Sequence, residues 1–128
     1  MRVDIGRGER IRQSHLTAPV QAPRILFRTG TYPNPNQFNP DFASLSPSLI
    51  EWLAQEGVRL VGIDTPSIDP AESKDLPSHA MVAAHNLAIL EGIVLDHVED
   101  GVYTLIALPL SLMGADASPV RAVLLEHA

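Results

Sequence analysis

The order of apolar and polar positions divides the chain before any chemistry is considered. Residues 23–29, PRILFRT, follow a proline with β-branched and aromatic side chains and stop at Gly30, which predicts a strand. Residues 30–47 are crowded with proline and asparagine and read as a long ordered loop with no regular element. Ser46 followed by Pro47 is a helix start, with a hydroxyl to cap it and a proline at the first helical position. In the helix predicted over residues 48–56, Leu49, Ile50, Leu53 and Trp52 form the apolar stripe, and Gly57 closes it. Residues 58–63, VRLVGI, then read as a buried strand. Strand, helix and strand in this order predict a crossover between parallel strands.

The remainder is less regular. A second loop, rich in Pro, Ser and Asp, leads to Ser78, which is expected to cap a short helix over residues 79–87 with Met81, Val82 and Leu87 facing inward. Residues 89–95 are strand-like but interrupted by Glu91-Gly92. Residues 102–108, entered through a Glu99-Asp100-Gly101 turn, read as a hairpin partner, and 120–125 as a last strand. The expected fold class is α/β: residues 1–128 as one compact domain, with a sheet of mixed direction and flanking helices.

Composition narrows the function. Fifteen acidic against 9 basic residues give a net charge of −6, the wrong sign for an electrostatic footprint on nucleic acid. Only 3 residues are Phe, too few for a stacking platform. No apolar run approaches the roughly 18–20 residues of a spanning helix, and the charged N-terminus lacks the apolar core of a secretory signal. A soluble cytoplasmic protein, with no nucleic-acid or membrane partner, is the default expectation. With 0 cysteines, disulfides, thiolate nucleophiles and cysteine-based zinc sites are excluded together. Any metal must be held by His nitrogens and Asp or Glu oxygens.

Two residues stand out as metal-ligand candidates. His79 lies at the mouth of the second helix, just beyond a polar loop, where a side chain can reach a cleft; the plainer reading is a solvent-facing first-turn residue. Glu91 interrupts AILEGIVL, where a charge must find water, a partner or a metal. Gly92 beside it permits a bulge, and the plainer reading is a strand with Glu91 on its wet face. His85, six positions after His79 at about 100° each, falls about 120° away on a straight helix and is expected to be a packing histidine. His15, His97 and His127 have no company that suggests a site. Asp64, Ser67, Asp69 and Asp75 follow a strand, where α/β proteins often place ligands. They are expected instead to bond their own backbone in Asx and Ser turns, with Lys74 and Asp75 a solvated pair. No P-loop, dinucleotide fingerprint or nucleophile elbow is present.

The words GIDTPSIDPAESKDLPSH and HNLAILEGIVLD resemble the bacterial kynurenine formamidases, or arylformamidases, which are cyclase-like metal-dependent hydrolases. The resemblance runs from ILFRT to VRAVLL. It implies a compact α/β/β fold, usually a homodimer, and hydrolysis of N-formyl-L-kynurenine to L-kynurenine and formate in tryptophan catabolism. It also implies two divalent ions, generally zinc, for which His79 and Glu91 match two of the family's ligands.

The chain departs from the family in one large respect. The motif H-x-G-T-H-x-D-x-P-x-H, which carries the other ligands and the histidine thought to shuttle protons, is not found; Arg28-Thr29-Gly30-Thr31-Tyr32 echoes it without a histidine. The chain therefore reads as the C-terminal part of a family member, with no catalytic residue of its own, inactive alone and with apolar strand edges left open to self-association. Substrate-binding residues are not assigned, though the loop over residues 32–42 is a candidate for holding an aromatic ring. Rival readings are another amide or cyclic-imide hydrolase of the same superfamily, and an inactive fragment that serves as a binding partner.

Overall fold

The computed structural model describes residues 1–127. Three short parallel strands form its centre: β2 (Arg24–Phe27), β4 (Leu60–Ile63) and β5 (Ala88–Leu90), in spatial order β2-β4-β5. The register places Ile25 beside Val61, Phe27 beside Ile63 and Gly62 beside Leu90. Helix α1 (Pro47–Gln55) connects β2 to β4, and α2 (Pro77–Ala84) connects β4 to β5. Both connections are the parallel crossover expected for strand, helix and strand, and the two helices pack on each other.

The core lies between this sheet and α1. Phe27, Val61 and Ile63 from the strands meet Leu49, Ile50 and Leu53 from the helix, all buried. These are the expected stripe positions of α1, with Trp52 half-buried at the edge. Ser46 caps α1 by accepting the Leu49 N–H at 3.2 Å, and Pro47 opens the helix. Ser46→Ala is expected to cost about 1 kcal/mol, read as a lower urea midpoint with an unchanged slope.

The α/β class expected from the sequence is what forms, with differences in detail. The strands divide among three small sheets instead of one of mixed direction. The loop over residues 30–47 holds a two-residue strand, β3 (Ser44–Leu45), which pairs in parallel with β1 (Arg10–Ile11). Residues 104–106 (β6, Thr104–Ile106) do not pair with the strand before them; they pair antiparallel with β7 (Val123–Leu125). A turn at Glu99-Asp100-Gly101 cannot by itself select between two apolar partners. Ile106, Val123 and Leu125 on this β6–β7 arm are exposed, as are Leu108 and Leu110 between its strands. Among the described residues no helix is long and apolar enough to cross a membrane.

Helix α2 starts and ends earlier than its sequence suggests. Leu76 takes the cap position in a left-handed conformation (φ 44°), Pro77 opens the helix, and Ser78 lies inside its first turn. Ser78 is not the cap: it is buried, and its hydroxyl donates to the Leu45 carbonyl at 2.7 Å. The helix stops at Ala84 because Asn86 turns left-handed (φ 55°) and the Leu87 N–H bonds back to Val82.

Candidate metal centre

Parallel strands present their C-terminal ends together, which is where ligands meet α/β sheets. Here the ends of β4 and β5 carry the loops that bear Asp69 and Glu91, and α2 brings His79 between them. The His79 Nε2 lies 3.3 Å from Glu91 Oε1, and its Nδ1 lies 2.9 Å from Asp69 Oδ2. The two residues singled out from sequence therefore do converge, and the His79 ring lies between two carboxylates, Glu91 at Nε2 and Asp69 at Nδ1.

Glu91 sits one residue past the end of β5, so it is neither inside a strand nor on its wet face. Its Oε1 accepts the Ile68 N–H at 2.8 Å, which pins the carboxylate toward the β4 loop. Gly92 adopts φ +67°, a left-handed turn that only glycine enters freely, and its N–H bonds the Thr65 carbonyl at 2.8 Å. That turn is what lifts Glu91 out of the strand line. The side chains of His79 and Glu91 are 31% and 28% exposed, so both reach solvent. They open onto a groove of about 1580 Å³ between the sheet edge and the β6–β7 arm, lined also by Val82, Leu90, Tyr103 and Arg121.

Asp69 is the residue that reading the sequence missed. It is fully buried and does not make an Asx turn on its own loop. Its two oxygens accept from the Ser78 N–H at 3.1 Å, and Oδ2 accepts from the His79 N–H at 3.0 Å. An anion thus caps the N-terminus of α2, supplying from earlier in the loop between β4 and α2 the acceptor expected of Ser78. Arg10 pairs with Oδ1 at 3.0 Å. Burial pushes the Asp69 carboxyl up, but the bonds from the His79 ring and backbone, from Ser78 and from Arg10 outweigh it and hold it below its ordinary 3.8. The only signal in the sequence was an aspartate in the loop that leads into a helix, and that pattern is too common to single one out.

The depressed carboxyl has a consequence for acid stability. The folded state releases this proton more readily than the unfolded chain does, so the contribution is complete above the unfolded value. It is lost as pH falls from there through the lower folded value. We expect the urea midpoint to fall below about pH 4, and Asp69→Asn to remove part of that slope. A pH profile identical in the variant would show that another group carries it.

The remaining candidates are not brought to this site as ligands. His85, expected to be a packing histidine, is exposed: α2 ends before it, at Ala84. His15 caps a 3-10 turn through the Arg12 N–H at 2.9 Å, and His97 is an exposed partner of Asp96 at 3.2 Å. Asp64 ties the ends of β2 and β4 together by accepting from the Thr29 N–H, the Thr29 hydroxyl and the Gly30 N–H. Ser67 makes the expected local turn, accepting the Asp69 N–H at 3.0 Å, and Lys74 and Asp75 are exposed. In the loop over residues 32–42, Tyr32, Phe38 and Phe42 pack edge to face, with centroids 6.1–6.4 Å apart.

His79 and Glu91 fit a metal in donor type and in spacing. Nitrogen and oxygen donors at about 2.0–2.1 Å on one tetrahedral ion stand about 3.3–3.4 Å apart. The observed 3.3 Å has that value and is long for a charge-assisted hydrogen bond of about 2.7–2.9 Å. Asp69, an acceptor only, would take an Nδ1–H and leave the Nε2 lone pair for an ion, as in carboxylate–histidine–metal arrangements. Two donors are fewer than a catalytic ion requires, and among the described residues no group of three or more His, Cys, Asp or Glu could hold one.

Comparison with known proteins gives the relatives of the chain. The Cyclase family ("Putative cyclase") matches residues 8–70, a segment that includes Arg10 and Asp69 and ends before His79. The chain is 53% identical over 127 residues to the kynurenine formamidase of Bordetella pertussis, covering 97% of this chain and 60% of that protein. It is 56% identical over 103 residues to the kynurenine formamidase of Bordetella avium, covering 80% of this chain and 49% of that protein. The chain therefore spans about 60% or less of the length of these curated relatives. Among solved structures it resembles a potential metal-dependent hydrolase with cyclase activity, with a TM-score of 0.84 and 28% identity over 97% of this chain and 61% of the other. A metal-dependent hydrolase predicted from Bacillus stearothermophilus gives a TM-score of 0.74 and 31% identity, over 88% of this chain and 53% of the other.

Proposed function

We propose, from the premise that this chain belongs to the cyclase-like hydrolase family of the kynurenine formamidases, that it supplies part of a divalent-metal site hydrolysing N-formyl-L-kynurenine to L-kynurenine and formate. The observation that carries this reading is the convergence of His79 Nε2 and Glu91 Oε1 at 3.3 Å on the rim of an open groove. Both would hold the ion, and zinc suits a donor set of imidazole and carboxylate without cysteine. When bound, such an ion polarises the formyl carbonyl and activates water.

The chain's own residues perform the supporting work. Asp69 orients the His79 ring, and the Ile68 N–H orients Glu91, so neither donor must be ordered at the moment of binding. The groove between β5 and the β6–β7 arm offers apolar walls at Val82 and Leu90 for an aromatic amide. In the reaction the formyl C–N bond breaks, the carbon takes the oxygen of water, and the departing aniline nitrogen takes a proton from a general acid. His79 and Glu91 are engaged as ligands in this reading, so that acid and the further ligands come from the portion of the relatives that this chain does not span. A homodimer with two ions per site belongs to the same reading and rests on the family resemblance.

The test is formate and kynurenine release from N-formyl-L-kynurenine. The protein assayed is this chain joined to an N-terminal segment carrying H-x-G-T-H-x-D-x-P-x-H. Release should stop with a chelator and return with zinc. A joined protein that folds and binds zinc but releases no formate, while opening a cyclic imide, would assign the site to another hydrolase of the same superfamily.

A further inference from the structure

Arg10 is remote in sequence from both candidate ligands, yet it closes the hydrogen-bond chain behind them. Strand β1 places it beside β3, where its guanidinium reaches across to the start of α2. Nη1 and Nη2 both donate to Asp69 Oδ1 at 3.0 Å, while Nη1 also reaches the Leu45 carbonyl at 2.7 Å and the Ser78 hydroxyl at 2.9 Å. Arg10 thereby occupies one carboxylate oxygen. The His79 ring and backbone N–H take the other. The division matters because a carboxylate free to rotate could offer either oxygen, or turn away from the imidazole.

We propose that Arg10 is a positioning residue: by holding Asp69 Oδ1 it fixes Oδ2 on the His79 Nδ1–H, and so selects the imidazole tautomer whose Nε2 lone pair faces Glu91. This deepens the metal-site reading and rests on it for its purpose, though the selection of the tautomer stands on hydrogen bonds within the chain alone. The chemistry supports the assignment. A neutral imidazole carries one N–H, and two carboxylates compete for it here, Asp69 at 2.9 Å and Glu91 at 3.3 Å. Asp69 wins if it is held in place, because it is fully buried and its bond is the shorter, whereas Glu91 is part-exposed. Without Arg10 the burial of the Asp69 charge is less compensated, and its carboxylate loses the restraint that keeps Oδ2 on the ring. The guanidinium fork grips one oxygen with two nitrogens, a geometry that lysine does not reproduce.

The experiment reads the tautomer directly. Long-range proton–nitrogen-15 correlation spectra of the 128-residue chain are recorded without metal at alkaline pH, where the ring is neutral. They should show His79 protonated on Nδ1. In Arg10→Gln a substantial share should move to Nε2–H, and Arg10→Lys should fall between the two. Wild-type His79 protonated on Nε2 would overturn the proposal, as would an Arg10→Gln spectrum identical to wild type. If Arg10→Gln fails to fold, the wild-type and Arg10→Lys spectra still decide it: a lysine variant with an unaltered tautomer removes the need for the fork. Zinc affinity of the protein joined to the N-terminal segment, measured by competition with a chromophoric chelator, should fall by about 10–100-fold in Arg10→Gln. Unchanged affinity there also counts against the proposal. A joined wild-type protein with the expected tautomer but no measurable zinc binding would instead fail the metal reading and leave the positioning role standing.

Discussion

Replacing Asp69 by alanine is expected to destabilise the fold by about 3–5 kcal/mol, the largest effect we anticipate for a single side chain outside the apolar core. The carboxylate is fully buried, and three elements depend on it: β1 through Arg10, the first turn of α2 through the Ser78 and His79 N–H groups, and the His79 ring. Alanine leaves the guanidinium without its counter-charge and two helix N–H groups without an acceptor. Removing one partner of a buried pair costs more than the pair itself contributes, because the remaining charge stays desolvated. Urea unfolding followed by far-ultraviolet circular dichroism measures the loss. A change under about 1 kcal/mol, the range of an exposed pair, would mean that water replaces the carboxylate and that Asp69 is not a structural centre.

Glu91→Gln should do the opposite: leave the fold in place and remove the function. Glutamine keeps an oxygen that can accept the Ile68 N–H, and the side chain is part-exposed, so no buried group is left unpaired. What it loses is the negative charge that an ion requires beside His79. We expect zinc affinity to fall by more than the roughly 10–100-fold that loss of a supporting partner costs, with formamide turnover lost in the joined protein. The same urea midpoint with a sharply weaker zinc competition curve is the expected pair of results. Undiminished zinc binding in Glu91→Gln would remove Glu91 from the ligand set, whatever its distance from His79.

The parts of the fold that could be read from sequence are those whose signals are local. Helix α1 shows its cap at Ser46, its proline at the first position and its stripe at Leu49, Ile50 and Leu53 within one short segment, and all of these hold in the structure. Strands β2 and β4 are apolar runs on either side of it, and their parallel pairing follows from the crossover. Strands β1 and β3 could not be read, because two residues carry no period and their pairing comes from the loop's course across the core. The pairing of β6 with β7 joins segments separated by an irregular stretch, so no turn residue records it. His85 was misjudged because its place depended on where α2 ends, and the left-handed Asn86 ends it early.

The candidate site divides along the same line. By itself the sequence determined the types of donor available and marked His79 at a helix mouth and Glu91 in an apolar run, and its family words joined the two as ligands. Only the tertiary structure decided that they meet, at 3.3 Å, and that a buried Asp69 paired with Arg10 bonds the far side of the His79 ring. The reason is physical. A residue's chemical type and its local pattern are properties of neighbouring positions, whereas burial and hydrogen-bond geometry depend on which distant segments the core draws together. Asp69 looks like any loop aspartate until β1, β4 and α2 close around it, and then it is the charge on which the arrangement of the site depends.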